Sequence, residues 1–419
     1  MNAARTLILL AALAAGPLRA QRSITLEQVR QAAKANAPAT AARQLQLEAG
    51  DLRARNVNSA WLPQVKGVAQ GTWQNEVTEF DLSALGFPSI IISKDQYHAG
   101  FEVQQTIYEF GATKARHDLE LTSAQAQAAR SDADLLALAL RVDNLYASLL
   151  LQRAGLQVLH SRAEDLAARL QQVASAVRNG TSLRSNEEVL RAESLATRQQ
   201  LVTSETDLAK TVDALKVWTA LDLDTAMTFE QPAAPAPMGP GERPELRALD
   251  LQRFGLEQQG KLVKKGSLPR LSAFGNGYYG RPGYNFLNNN FRPYGMVGAG
   301  LSWNIAGFYT QGRQLRENAV QQQLIDQQKR QFNLQLASDL DNQQKEIDKM
   351  DRLAELDGAI VDSKTFVRKA AASQLANGVI TAQDYVTYRN AEDQARLNQE
   401  MHRIQAVMAR INLQLIQGN

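Results

Sequence analysis

LLALALRVDNLYASLLLQRAGLQVLHSRAEDLAARLQQVASAVRNG, residues 135–180, places apolar side chains at Leu135, Leu138, Val142, Leu145, Leu149, Leu156, Leu159, Leu166, Leu170, Val173 and Val177. The steps are three, four and seven, with Gln152 and Ala163 as the weaker positions of the seam. That period winds one helix against others in coiled-coil fashion. Outward from it, Ala112 to Arg178 holds no proline and one glycine, Gly155. At the rise of an α-helix this is about 100 Å of helix, too long for a compact domain to bury, so an elongated structure is expected. Asn179-Gly180 ends the helix, because both residues tolerate the left-handed conformation of a C-cap. Ser182 or Ser185 is placed to cap a return helix running to about Leu221.

The chain says this twice. Ile107-Tyr108-Glu109-Phe110 returns as Ile305-Ala306-Gly307-Phe308, and Asn179-Gly180 as Asn377-Gly378, both 198 residues later. Trp61-Leu62-Pro63 is echoed by Ser267-Leu268-Pro269, at a different interval, so the length difference falls in one surface loop. A second long helix, Gln314 to Ala376, has looser heptads. A helix from Ile24 to Asn58 plus the first return helix approximates the long helix, so one long helix can lie beside two short ones stacked end to end. Between the halves, Gln231 to Arg243 holds Pro232, Pro235, Pro237 and Pro240, an extended linker. The organisation read is a leader over 1–20, a first repeat over 21–230 (β-hairpin 61–110, helical hairpin 112–221), the linker 231–243, and a second repeat over 244–419 (β-hairpin 268–309, helical hairpin 314–417).

The hairpin regions alternate. From Gln64 to Val77, Val65, Ala69, Trp73 and Val77 fall on one face, with Gln64, Lys66, Gln70 and Thr72 on the other. Gln96 to Ile107 repeats the pattern, and Arg270 to Tyr279 and Gly295 to Trp303 are weaker versions. Each is long enough to cross a bilayer as a tilted strand. Eighteen of the 26 aromatics lie in 61–110 and 268–309, as aromatic girdles at a membrane interface would require. Four strands cannot close a membrane barrel, since known ones start at about eight, and an open edge is not tolerated in lipid. Strands that span a membrane must therefore be shared between chains; three chains give about twelve strands around a polar lumen.

The other signals bound the function. Met1 to Ala20 reads as a secretory signal peptide: Arg5, then the apolar core Thr6 to Ala15, then Gly16-Pro17 and a cut after Ala20. The 46 basic and 43 acidic residues leave a net charge of +3, too small for nucleic-acid binding driven by bulk charge. Cysteine is absent, which excludes thiolate metal sites, thiol catalysis and acylation of an N-terminal Cys. His98, His117, His160 and His402 lack ligand spacing, so no metal site or cofactor is expected. No nucleophile–base arrangement can be read, so no enzyme is expected. Gly275-Asn276-Gly277-Tyr278-Tyr279-Gly280 fits the dinucleotide fingerprint, but Arg281-Pro282-Gly283 follows where a helix should open.

Taken together, the chain resembles the TolC-like outer-membrane efflux proteins. The resemblance runs from Ile24 to Gly418 and is carried by ITLEQVRQAAKANAP (24–38), WLPQV (61–65), SLPRL (267–271), QTIYEFGATKAR (105–116), SWNIAGFYTQGR (302–313), RNGTS (178–182) and ANGVITAQDY (376–385). The strand-to-helix junctions depart from the family's apolar-Phe-Asp-Gly-Gly: Glu109-Phe110-Gly111 and Gly307-Phe308-Tyr309 stand there. The resemblance implies a mainly α chain with a small β part. Its duplicated strand–helical-hairpin repeat would form an α-helical barrel and a trimer-shared transmembrane β-barrel.

It further implies a homotrimeric exit duct of a tripartite efflux pump or type I secretion system. Its partners would be a periplasmic adaptor, an inner-membrane transporter and outer-membrane lipid, without a lipid anchor. Asn179, Gly180, Thr181, Asn377, Gly378 and Val379 would form adaptor-facing tips. Asp384 matches the first acidic position of the family's pore constriction. Thr387 replaces the second, and Asn186 holds the matching place in the first half. The competing expectation is a periplasmic adaptor or scaffold, where long helical hairpins also occur.

Overall fold

The computed structural model describes residues 23–80, 86 and 90–418. The expected signal peptide lies outside them. Among the described residues seven α-helices form: α1 (Leu26–Asn36), α2 (Pro38–Asn58), α3 (Ala112–Arg178), α4 (Arg184–Thr219), α5 (Pro244–Gly266), α6 (Phe308–Ala376) and α7 (Ala382–Gln417). The strands are β1 (Ser23–Ile24), β2 (Gln64–Trp73), β3 (Glu79–Phe80), β4 (Ile90–Ile91), β5 (Asp95–Tyr108), β6 (Thr228–Phe229), β7 (Arg270–Arg281) and β8 (Arg292–Ser302). Residues 231–243 form neither helix nor strand.

Three expectations are corrected. The single helix over 24–58 is two: Ala37 is extended (φ −67°, ψ 129°), because the ring of Pro38 crowds the α conformation of the residue before it. Pro38 then opens α2, where its missing N–H costs nothing. Neither Ser182 nor Ser185 caps α4; the N-cap is Leu183 and makes no side-chain bond. The second long helix begins at Phe308, six residues before the stretch read from the sequence.

The described residues divide into two compact units, each drawing on both halves of the chain. One comprises the described parts of Met1–Ala41, Ser131–Pro244 and Asn333–Asn419. Its main core joins Leu26 and Val29 of α1, Val142, Tyr146 and Leu149 of α3, Val212 and Leu215 of α4, and Ile404 and Met408 of α7. The heptad positions Val142, Leu149, Leu156, Leu166 and Val173 are all buried, as the seam requires. β1 and β6 pair in parallel, a contact the sequence did not signal. Buried Tyr146 holds this pair, its hydroxyl donating to the carbonyls of Ile24 (2.9 Å) and Glu230 (2.6 Å). Burial pushes that hydroxyl's pKa up, so it stays a donor. A second core (Leu166, Val173, Leu190, Ala371, Leu375, Tyr385, Val386) lies where all four hairpin helices meet.

The other unit comprises Ala42–Arg130 and the described part of Glu245–Phe332. In it α2 meets α3 so closely that a Cβ on Gly50 would sit 2.2 Å from Ala124 Cβ. Its sheet has the order β2-β5-β7-β8, antiparallel throughout.

Candidate functional site

Register assigns the sheet its two faces, since directly paired residues point the same way. Lys66, Gln70 and Thr72 pair with Glu102, His98 and Gln96, and Glu102 with Asn276; this face is mainly polar, with Phe274 and Met296 also on it. On it the Tyr278 hydroxyl donates to Glu102 Oε1 (2.6 Å) and the Tyr284 hydroxyl to Asn276 Oδ1 (2.7 Å). The other face carries Val65, Trp73, Phe101, Tyr279, Val297 and Leu301. Its side chains meet no core: Trp73 is 72% exposed, Phe101 65% and Val297 86%. Among the described residues, β2 and β8 each pair on one side only. A water-soluble hairpin turns its apolar side to a core; this sheet leaves that side and both edges uncovered.

The strand-to-helix junctions differ from each other. After β5, Phe110 (φ 56°) and Gly111 (φ 78°) both enter the left-handed region. Buried Glu109 accepts from the Thr113 N–H at 2.6 Å, capping the first turn of α3, and lies 3.5 Å from Arg270. After β8 a short 3-10 turn, Ile305–Gly307, leads directly into α6.

At the far ends of the long helices, the Asn-Gly turns are the same turn twice. Gly180 and Gly378 both have φ 73°. Gly180 N–H bonds Val177 O (3.1 Å) and Thr181 N–H bonds Ala176 O (2.8 Å). Gly378 N–H bonds Leu375 O (3.1 Å) and Val379 N–H bonds Gln374 O (2.9 Å). Both are Schellman motifs, and all six residues Asn179, Gly180, Thr181, Asn377, Gly378 and Val379 are exposed.

Beyond the turns the hairpins diverge. Thr381 caps α7 through a capping box: its Oγ1 accepts from Asp384 N–H (3.2 Å), and Asp384 Oδ2 accepts from Thr381 N–H (3.0 Å) and Oγ1 (2.6 Å). These bonds, the hydroxyl's first, hold the Asp384 carboxyl below its ordinary pKa, so it carries charge at neutral pH. Thr387 is exposed, its hydroxyl donating to Gln383 O (3.0 Å). Asn186 does not cap its own helix. Its Oδ1 accepts from the Ala382 N–H at 3.0 Å, so α4 satisfies an orphan donor at the start of α7 and ties the two hairpins.

Sequence reading missed the largest polar feature here. Behind the turns, a charged network links α3, α4, α6 and α7. Fully buried Glu392 accepts from Arg368 (2.6 Å), Arg396 (2.8 Å) and Thr365 (2.9 Å). Burial opposes its charge, but these donors prevail and bring its pKa down to about 2. Arg389, also buried, lies 3.1 Å from Asp393 and 3.9 Å from Asp165. Asp165 accepts from the Tyr385 hydroxyl, and Arg162 from α3 bonds Glu193 on α4. A signal was present: Arg389, Glu392, Asp393 and Arg396 recur at helical spacing where apolar seam residues belong.

Among the described residues there is no group of three or more His, Asp or Glu placed to hold a metal, and no helix is long and apolar enough to cross a membrane.

Residues 29–220 match the family model described as "Outer membrane efflux protein". No curated protein sequence matches the chain. Solved structures match over nearly its whole length. The outer membrane protein VceC of Vibrio cholerae superposes with a TM-score of 0.72 at 16% identity, covering 93% of this chain and 95% of that one. CusC, described in terms of transmembrane channel formation, gives 0.75 at 13%, covering 94% and 91%. The open state of the outer membrane channel MtrE of Neisseria gonorrhoeae gives 0.70 at 15%, covering 94% and 89%. At these identities the likeness establishes the fold.

Proposed function

We propose that this chain, a TolC-like outer-membrane efflux protein by the family match of its first half and by its fold, is one third of a passive exit duct. The observation that carries the reading is the four-stranded sheet with one polar face, one exposed apolar face and two unpaired edges. In lipid an open edge is untenable, and the cheapest closure is with copies of itself. Three copies give a barrel of about twelve strands, with the apolar face to lipid and the Glu102–Tyr278 face to a water-filled lumen. Leu195, Val202 and Val217 stand exposed on α4 and supply an apolar stripe for a neighbouring copy.

In this reading the two repeats, 21–230 and 244–419, join through the linker 231–243, and the helical hairpins extend into the periplasm. The exposed turns at 179–181 and 377–379 meet a periplasmic adaptor, which connects to an inner-membrane transporter. Asp384, with Thr387 and Asn186 nearby, lines the constriction. Three copies of one charged carboxylate around a narrow axis favour cations in transit. The adaptor alternative receives no support, since a soluble scaffold has no use for the exposed apolar face.

The test is a detergent-extracted trimer that forms ion-conducting pores in planar bilayers. A water-soluble monomer without detergent overturns the reading. Asp384→Asn should lower cation selectivity in single-channel recordings, and unchanged selectivity refutes its place at the constriction.

A further inference from the structure

All four junctions between sheet and helix lie at one end of the four-stranded sheet, because Gln64 pairs with Gln104, Tyr108 with Leu271 and Arg270 with Ser302. That end carries exposed Trp61, Tyr108, Phe110, Trp303, Phe308 and Tyr309. Aromatic side chains collect in this way at the level of lipid headgroups. Just past them, on the helix side, stand Lys114 and Arg116 of α3, Lys261 and Lys264 of α5, and Arg313 and Arg316 of α6, all exposed. No acidic residue occurs in 111–117, 261–267 or 308–316. Among the described residues none of these six cations is in an ion pair, whereas farther from the sheet Arg53 of α2 meets Glu120 of α3 (3.0 Å) and Arg253 of α5 meets Asp326 of α6 (3.2 Å). Only Lys264, in the last turn of α5, is placed to gain from its own helix dipole; Lys114, in the first turn of α3, is opposed by it.

We infer that this collar is a binding surface for anionic phospholipid headgroups of the leaflet on the helix side. The inference rests on the duct reading for the sheet's place in lipid. At the rise of an α-helix, Lys114 stands about 3 Å and Arg316 about 12 Å beyond the first residue of its helix. The headgroup layer on each side of the hydrocarbon is about 5–8 Å deep, and the long stems of lysine and arginine let their charged ends move within it. The six charges therefore reach headgroup phosphates while the aromatic rings mark the acyl boundary. Each guanidinium offers a phosphate two parallel N–H donors, and each lysine a point charge. A zwitterionic headgroup brings its own cation and gains less. The other end of the sheet has no such surplus. There residues 74–95 and 281–292 together hold four acidic and three basic residues, and Arg281 is taken by Asp95 and lies over Tyr97 and Phe291. That asymmetry selects the helix-side leaflet.

The test reconstitutes the full-length protein in bilayers of phosphatidylcholine and phosphatidylglycerol, each lipid in turn brominated in its chains, and reads tryptophan quenching. Trp61 and Trp303 report from the collar, and Trp73→Phe removes the reporter at the other end of the sheet. Phosphatidylglycerol should bind about five-fold more tightly than phosphatidylcholine at low salt, and the preference should fall toward equality at about 0.5 M salt. Lys114→Gln, Arg116→Gln, Arg313→Gln and Arg316→Gln together should abolish it. Lys345→Gln, Lys349→Gln, Arg352→Gln and Lys364→Gln, an equal loss of charge farther along α6, should leave it, and Arg313→Lys with Arg316→Lys should retain it. Equal affinity for the two lipids in the parent, a preference that survives the four collar substitutions, or an equal loss in the distant variant overturns the inference. Should the fourfold variant not fold, the α3 pair and the α6 pair are read separately, and no loss in either overturns it as well. Quenching without a preference fails the collar alone. Brominated phosphatidylcholine that quenches no tryptophan shows that the sheet does not enter lipid, which fails the duct reading and the collar with it.

Discussion

The return helices α4 and α7 are copies that share one apolar core in their C-terminal halves but bury different side chains nearer the turns. They occupy 184–219 and 382–417, the same 198 residues apart as the turns that precede them. On its inward side α4 buries Leu190, Thr197, Leu208, Val212 and Leu215. Below its capping box, α7 buries Tyr385, Arg389, Glu392 and Asp393. Where α7 has Glu392 and Asp393, α4 has Ser194 and the exposed Leu195. Duplication preserved backbone geometry, which depends on helix length and one glycine. It did not preserve what fills the seam. An apolar seam needs only matching shape, whereas a buried charged one needs every member paired.

The strongest way to break the comparison is Glu392→Gln. It leaves Thr365, Arg368 and Arg396 around a neutral group and should cost about 3 kcal/mol at neutral pH by thermal or denaturant unfolding. Ser194→Ala at the matching place should stay within about 0.5 kcal/mol. Equal effects would mean that the network carries no special stability.

Neighbouring Glu392 and Asp393 should respond to pH with opposite sign. Glu392, depressed to about 2, contributes stability above its unfolded pKa that is lost as pH falls through the folded value. Asp393, raised to about 6, has the reverse sign. The folded state holds its proton more tightly, so stability is lost as pH rises from about 4 to 6. Asp393→Asn should therefore stabilise by up to about 3 kcal/mol at pH 7.5 and by little near pH 4. A gain that does not vary with pH would rule out the raised carboxyl.

Smaller effects sharpen the contrast at the caps. Thr381→Ala should cost about 1 kcal/mol by removing the capping box, while Leu183→Ala, at a cap with no side-chain bond, should cost almost nothing. The two turns should not differ. A Cβ at Gly180 or Gly378 meets nothing within 4 Å, so Gly→Ala costs only left-handed strain, about 1 kcal/mol at each. Unequal costs would show that one turn is held by contacts the other lacks.

The long helices, their ends at Asn-Gly and the four alternating strands were legible in the sequence because each rests on local period and local backbone freedom. Val142, Leu149 and Leu166 lie buried where the heptads put them. The places where sequence reading fell short share one cause. Asn186 bonds Ala382, 196 positions away; Tyr385 bonds Asp165, 220 away; Tyr146 bridges Ile24 and Glu230. No spacing rule reaches that far. Phe110 in the left-handed region likewise defies local preference, and there Lys265 of α5, 154 residues away, bonds the Gly111 carbonyl.

By itself the sequence determined the long helices, the four long strands and that the pattern occurs twice, since hydrophobic period and glycine placement act within a few residues. Tertiary structure alone decided the strand order, with both outer edges unpaired among the described residues, and the burial of three charged side chains on α7, Arg389, Glu392 and Asp393. A charge on a helix face reads as solvated until the partner that desolvates it is seen, and here each partner arrives from a helix far away in the chain.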